Sequence, residues 1–67
     1  MLIHIPAFDA QRLKDLRQAL GLTQEAFAHH LGVSLSAVGK WERGETRPHH
    51  RLVIKALLEA EREADGN

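Results

Sequence analysis

Residues 23–44 read TQEAFAHHLGVSLSAVGKWERG, and the parsing of this stretch decides the fold. Thr23 is a helix N-cap, a hydroxyl able to accept from one of the orphan N–H groups of a first turn. Leu22 stands before it as a hydrophobic staple, and Glu25 lies in the first turn, where the helix dipole favours a carboxylate. Ala26 occupies the third position after the cap, so the reciprocal capping box is absent. Leu31-Gly32-Val33 reads as a tight turn, and Ser34 caps a second helix running from Leu35 to about Arg43. Gly44 is a left-handed candidate that ends it.

Phe27 and Leu31, with Ala26 and His30, are expected inward or at the margin of the first of these helices. On the second, Val38 and Trp41 are three residues apart and are expected buried, with Ala37 near the first helix. That leaves Leu35, Ser36, Gly39 and Lys40 outward. The set is odd for a solvated face: a leucine gains nothing from water, and Gly39 costs about 1 kcal/mol of helix propensity relative to alanine. A small residue there serves either the close approach of another molecule or a close helix crossing within the domain, and both readings stand.

Working outward, Asp9 is a good N-cap for an earlier helix, with Phe8 placed to staple onto Leu13. Leu13, Leu16 and Leu20 form its apolar face, and Gly21 ends it. Residues 1–8 read as an N-terminal arm, extended or flexible, in which Ile3 and Ile5 alternate with His4 and Pro6 limits regular structure. After the turn from Glu42 to Pro48, a last helix is expected from Pro48 or His49 to Glu63. Its apolar residues, Leu52, Val53, Ile54, Ala56, Leu57, Leu58 and Ala60, cover more than one stripe. The surplus points to a second buried surface, most simply a symmetric dimer contact. The domain is thus placed at 9–64, with 65–67 a frayed tail.

With 67 residues and no cysteine, the chain must draw its stability from helix packing, and the scarcity of aromatic and β-branched runs argues for an all-α fold. The apolar start is too short for a membrane span or signal peptide, so a soluble, cytoplasmic protein is expected. Nine Lys and Arg balance nine Asp and Glu. The distribution is uneven: Lys40, Arg43, Arg47, Arg51 and Lys55 face only Glu42 and Glu45 in sequence, whereas Glu59, Glu61, Glu63 and Asp65 gather near the end. A local basic patch is what phosphate binding requires, whatever the sum. His29-His30 and His49-His50 lack a third ligand at a supporting spacing, so no metal is expected. No cofactor motif or catalytic constellation is present, Asp15 and His30 being isolated, and an enzyme is not expected.

The segment LKDLRQALGLTQEAFAHHLGVSLSAVGKWERGETRP, Leu13–Pro48, resembles the helix-turn-helix domain of the phage lambda and Cro repressor type, often called the XRE family. The resemblance is carried by Leu16-Arg17, Gly21-Leu22-Thr23-Gln24, Phe27-Ala28, Leu31-Gly32-Val33-Ser34, Val38 and Trp41-Glu42-Arg43-Gly44, in that order. It implies a compact domain of four or five helices that binds an operator as a dimer, with the third helix in the major groove. By the same resemblance Leu35, Ser36, Gly39 and Lys40 are the base-facing positions. Gln24, Arg43, Thr46 and Arg47 match contacts to the DNA backbone. Arg17 and Glu42 match a structural bridge, and Phe27, Val38 and Trp41 match core positions.

Two departures matter. The base-facing set lacks Gln, Asn and Arg, which leaves direct readout thin and gives DNA shape more weight. The chain also ends in one long helix, as in small stand-alone regulators and antitoxins of the HigA and MqsA kind. The function implied is a sequence-specific regulator of double-stranded DNA, a repressor acting as a homodimer on a palindromic operator. The alternative is an antitoxin-like protein whose main partner is a toxin, with or without autoregulatory DNA binding.

Overall fold

Among the described residues, every helix starts where a side chain supplies the acceptor that the first turn lacks. In a computed structural model, which describes residues 8–66, these starts produce four helices: α1 (Ala10–Ala19), α2 (Gln24–Leu31), α3 (Leu35–Glu42) and α4 (Arg51–Asp65). Asp9 Oδ1 accepts from the Arg12 amide at 2.8 Å, Thr23 Oγ1 from Ala26 at 3.1 Å and Ser34 Oγ from Ala37 at 3.0 Å. The fourth cap is His50, whose Nδ1 accepts from the Leu52 amide at 3.2 Å. That cap is why α4 starts at Arg51 and not at Pro48 or His49.

The turn between α2 and α3 closes by two bonds, Val33 N–H to Ala28 O at 2.9 Å and Gly32 N–H to His29 O at 3.2 Å. This pairing needs a left-handed residue, and Gly32 supplies it at φ 75°. The same pairing ends α3, with Glu45 N–H on Lys40 O, Gly44 N–H on Trp41 O and Gly44 at φ 77°. Both helices therefore stop after two turns, and the chain leaves α3 on a fixed heading.

The core is Phe8, Leu13, Leu16, Phe27, Ala28, Leu31, Val38, Trp41, Leu57 and Ala60, drawn from all four helices and from Phe8 just ahead of the α1 cap. Phe8 belongs to this core, 1% exposed, although the sequence reading left it at the end of the arm. The Arg12 guanidinium lies over its ring, 3.9 Å from the centroid, and makes two 2.7 Å bonds to Glu61. This clamp joins α1 to α4. Residues 1–7, where the rest of the arm was expected, lie outside the described residues, as does Asn67.

Two expectations for α2 are corrected. Ala26 and His30 are exposed, and Ala28 is buried in their place. The buried arc runs through Phe27, Leu31 and Ala28, which turns His30 to the surface, where its Nε2 lies 3.6 Å from Glu63. At the other end of the chain Asp65, expected in a frayed tail, is the last residue of α4, and the Gly66 amide still reaches Arg62 O. The apolar surplus of α4 is present: Leu52 is 67% and Leu58 44% exposed. Among the described residues no helix is long and apolar enough to cross a membrane.

The burial pattern predicts unequal costs for two truncations. Phe27→Ala should destabilise by about 3–5 kcal/mol, most of the margin a small domain has. Leu52→Ala should shift stability by no more than about 0.5 kcal/mol. Urea unfolding followed by circular dichroism separates them, and equal losses would contradict the packing described.

Candidate nucleic-acid interface

α3 is held in place by a carboxylate. Glu42, its last residue, is only 5% exposed, yet no buried side-chain polar atom among the described residues lacks a partner. Arg17 on α1 donates to it through Nε at 2.7 Å and Nη2 at 3.0 Å, in the fork geometry that suits a carboxylate. Arg17 Nη1 donates to the Leu22 carbonyl at 3.0 Å, and Gln24 Nε2 donates to Glu42 Oε1 at 3.0 Å. One acidic group thus ties together α1, the α1–α2 turn, the start of α2 and the end of α3. The expected bridge between Arg17 and Glu42 is present. Burial alone would push the Glu42 carboxyl up; the bonds from Arg17 and Gln24 and the charges of Arg17 and Lys14 outweigh it and hold the group below the usual carboxylate range.

Gln24 therefore has a packing role that the sequence reading did not give it. An amide nitrogen has two N–H donors, and Glu42 takes one. The residue stands at the N-terminus of α2, where its second donor and the open backbone N–H groups can meet an anion.

The outward face of α3 carries Leu35, 49% exposed, with Ser36 and Lys40 also exposed. Val38 and Trp41 point into the core, as expected. Gly39 does not face outward freely. It is buried, and what covers it is Arg43: a Cβ at Gly39 would come within 3.0 Å of Arg43 Nη1 and 3.8 Å of Cζ. The cause is helix geometry, since side chains lean toward the N-terminus and one four residues on lies over the earlier position. The small residue is explained by a close approach from within the chain, and the approaching group is a side chain, not a helix. Arg43 Nε is also paired with Glu45 Oε2. That hydrogen bond, with the charges of Arg43 and Lys40, lowers the Glu45 carboxyl below its usual range.

Thr46 and Arg47 follow in an exposed loop. Together with Ser36 and Lys40 they wall an open cleft of about 370 Å³, whose apolar lining includes Trp41 and Val53. Two of the four residues expected to touch the backbone, Thr46 and Arg47, are thus brought beside two of those expected to face bases, while Gln24 and Arg43 lie outside the cleft. His49 borders the same cleft, its Nδ1 3.3 Å from Arg47 O, and so does the capping His50. A separate groove of about 550 Å³ is bordered by Asp9, Asp15, Glu61 and Asp65, with Arg12 the one basic residue in its lining. Acidic groups therefore outnumber basic ones in this groove and are absent from the lining of the cleft beside α3, which is how a chain of zero formal charge can present a positive face.

The helix-turn-helix family model matches residues 13–59. An uncharacterized transcriptional regulator in the ATPase CF(0) region of Rhodospirillum rubrum is 43% identical over 44 residues, covering 66% of this chain and 41% of that protein. The uncharacterized HTH-type transcriptional regulator YazB of Bacillus subtilis (strain 168) is 40% identical over 46 residues, covering 69% of this chain and 67% of that protein. The chain therefore matches less than half the length of the first relative.

The Glu42 cluster predicts a pH dependence. A carboxyl whose pKa falls on folding stabilises the fold fully above its unfolded value, about 4.3. That contribution is lost as pH drops through the lower, folded value. Glu42→Gln should therefore be less stable than the parent at neutral pH, and the gap should close on acidification. Urea unfolding across the acid range measures it; a gap that stays constant would contradict the depressed pKa.

Proposed function

The chain belongs to the helix-turn-helix family as a transcriptional regulator domain of the XRE/Cro type, a non-catalytic class, and we propose that it is a repressor reading double-stranded DNA with α3. One observation supports this reading: the exposed face of α3 adjoins the Thr46–Arg47 loop across an open cleft, so the groups we assign to bases and to phosphates share one surface. A helix fits the major groove of B-DNA, and flanking phosphate contacts fix its register. In this arrangement Leu35 packs on a thymine methyl, Ser36 bonds to a base edge, and Lys40 reaches guanine or a phosphate. Gly39 supports the face from beneath Arg43. Thr46, Arg47 and the start of α2 with Gln24 hold the backbone, and Arg43 stands between the two sets.

A single copy offers few contacts. We assign the exposed Leu52 and Leu58 of α4 to a homodimer, which pairs two α3 helices on the half-sites of a palindromic operator in the cytoplasm. The same apolar exposure supports the second reading, an antitoxin in which α4 meets a toxin with or without DNA binding. A stable complex with the product of a neighbouring gene would favour that reading.

The substitutions separate the roles. Arg47→Ala should weaken binding to all sequences alike and reduce the salt slope by about 1. Ser36→Ala should change the preferred base at one position, and Lys40→Ala should weaken binding to the selected operator. Anisotropy titrations over a salt series, with duplexes selected from a random pool, read all three. Failure to recover any palindromic sequence, together with unchanged binding in the three variants, would defeat the repressor reading.

A further inference from the structure

Leu35, Ser36 and Lys40 leave the outward face of α3 without a side chain that offers two donors in a fixed plane. The structure puts one there from outside the helix. Arg43 caps α3 with helical backbone angles, φ −87° and ψ −4°, so its side chain continues the helix register. It leans back over the residue four earlier, and that residue is Gly39. The far end of the guanidinium rests on the glycine: measured from an ideal Cβ built there, Nη1, Cζ and Nη2 are at 3.0, 3.8 and 3.9 Å. A Cβ there would press on Nη1, so the guanidinium end would have to give by a few tenths of an ångström.

The other edge of the same group is paired. Nε donates to Glu45 Oε2, two residues on, and this pair is the one ion pair Arg43 makes among the described residues. Nη1 and Nη2 make no hydrogen bond among them. The fork is therefore held at its inner edge and open at its outer one, on the stripe that also carries Leu35, Ser36 and Lys40. A phosphate contact needs only positive charge within reach. Two coplanar donors, pre-set against a helix face, match the O6 and N7 acceptors of guanine.

We propose that Arg43 is a specificity-determining residue that reads guanine, with Gly39 as its seat and Glu45 as its positioning residue. This rests on the DNA-binding reading above and changes what that reading says about sequence. Gly39 sacrifices helix propensity to leave the space, and Glu45, acidic in a basic segment, restrains the guanidinium at the cost of one positive charge. Direct readout is then richer than the four outward positions suggest.

The test is site selection from a random duplex pool with the full chain, followed by anisotropy titrations of single-base variants of the selected duplex. The parent should select a guanine in each half-site and bind the variant lacking it about tenfold or more weakly. Arg43→Ala should bind that pair of duplexes equally well while keeping its preferences elsewhere. Gly39→Ala keeps the charge, favours the helix and shifts only a flexible side-chain end, so it should fold; it should weaken the same guanine preference. Uniform weakening of Arg43→Ala on every duplex, with the guanine preference intact, would make Arg43 a phosphate contact and overturn the proposal alone. So would a Gly39→Ala variant that discriminates as the parent does. If the parent selects no sequence at all, the repressor reading fails and this inference with it.

Discussion

The arrangement depends on a buried carboxylate at the end of a two-turn helix. An eight-residue helix is too short to hold itself in water, so the position of α3 must come from outside it. Part comes from Val38 and Trp41 in the core; the rest comes from Glu42. A charge that far from solvent is costly unless its oxygens are satisfied, and Arg17 and Gln24 satisfy them. The consequence is geometric. The start of α2 and the end of α3 are fastened to one group, so the angle between the helices is set by hydrogen bonds as well as by packing. The proposed role of that surface, matching a groove over several base pairs, would need that kind of constraint.

The second constraint is electrostatic. Zero formal charge would suit a protein indifferent to polyanions, yet the charges are sorted. Glu61 is engaged by Arg12, and Asp9, Asp15 and Asp65 border the same groove between α1 and α4. On the α3 side the acidic residues are occupied internally: Glu42 by Arg17 and Glu45 by Arg43. Lys40 and Arg47 make no ion pair among the described residues. The field near α3 is therefore more positive than the composition implies, and it is local, so salt should screen it strongly.

Much of this was legible in the sequence because it depends on local chemistry. Thr23, Ser34 and Asp9 act as caps where their spacing says they should, and Gly32 and Gly44 turn the chain where a left-handed residue is required. Phe27, Val38 and Trp41 follow from periodicity, and the Arg17–Glu42 bridge from the resemblance. What was missed involves choices that periodicity leaves open. On α2, Phe27 and Leu31 fit a core arc extended toward His30 or toward Ala28, and only packing against the other helices decides for Ala28. His50 was not legible as a cap because histidine is a weak signal for that role beside Ser, Thr, Asp and Asn. Gly39 was noticed as an anomaly, but its explanation lies in the backward lean of Arg43, which a pattern of outward and inward positions does not contain. The spacing of four between Gly39 and Arg43 was the available clue.

The central claim is that α3 and the loop after it form the DNA surface. Amide chemical shifts of the labelled protein, followed while a selected duplex is added, test it most directly. The account predicts shifts concentrated at Leu35, Ser36, Gly39, Lys40, Arg43, Thr46 and Arg47 and at the start of α2, with the groove bordered by Asp15 and Glu61 unaffected. Shifts concentrated on that acidic groove, with α3 silent, would contradict it.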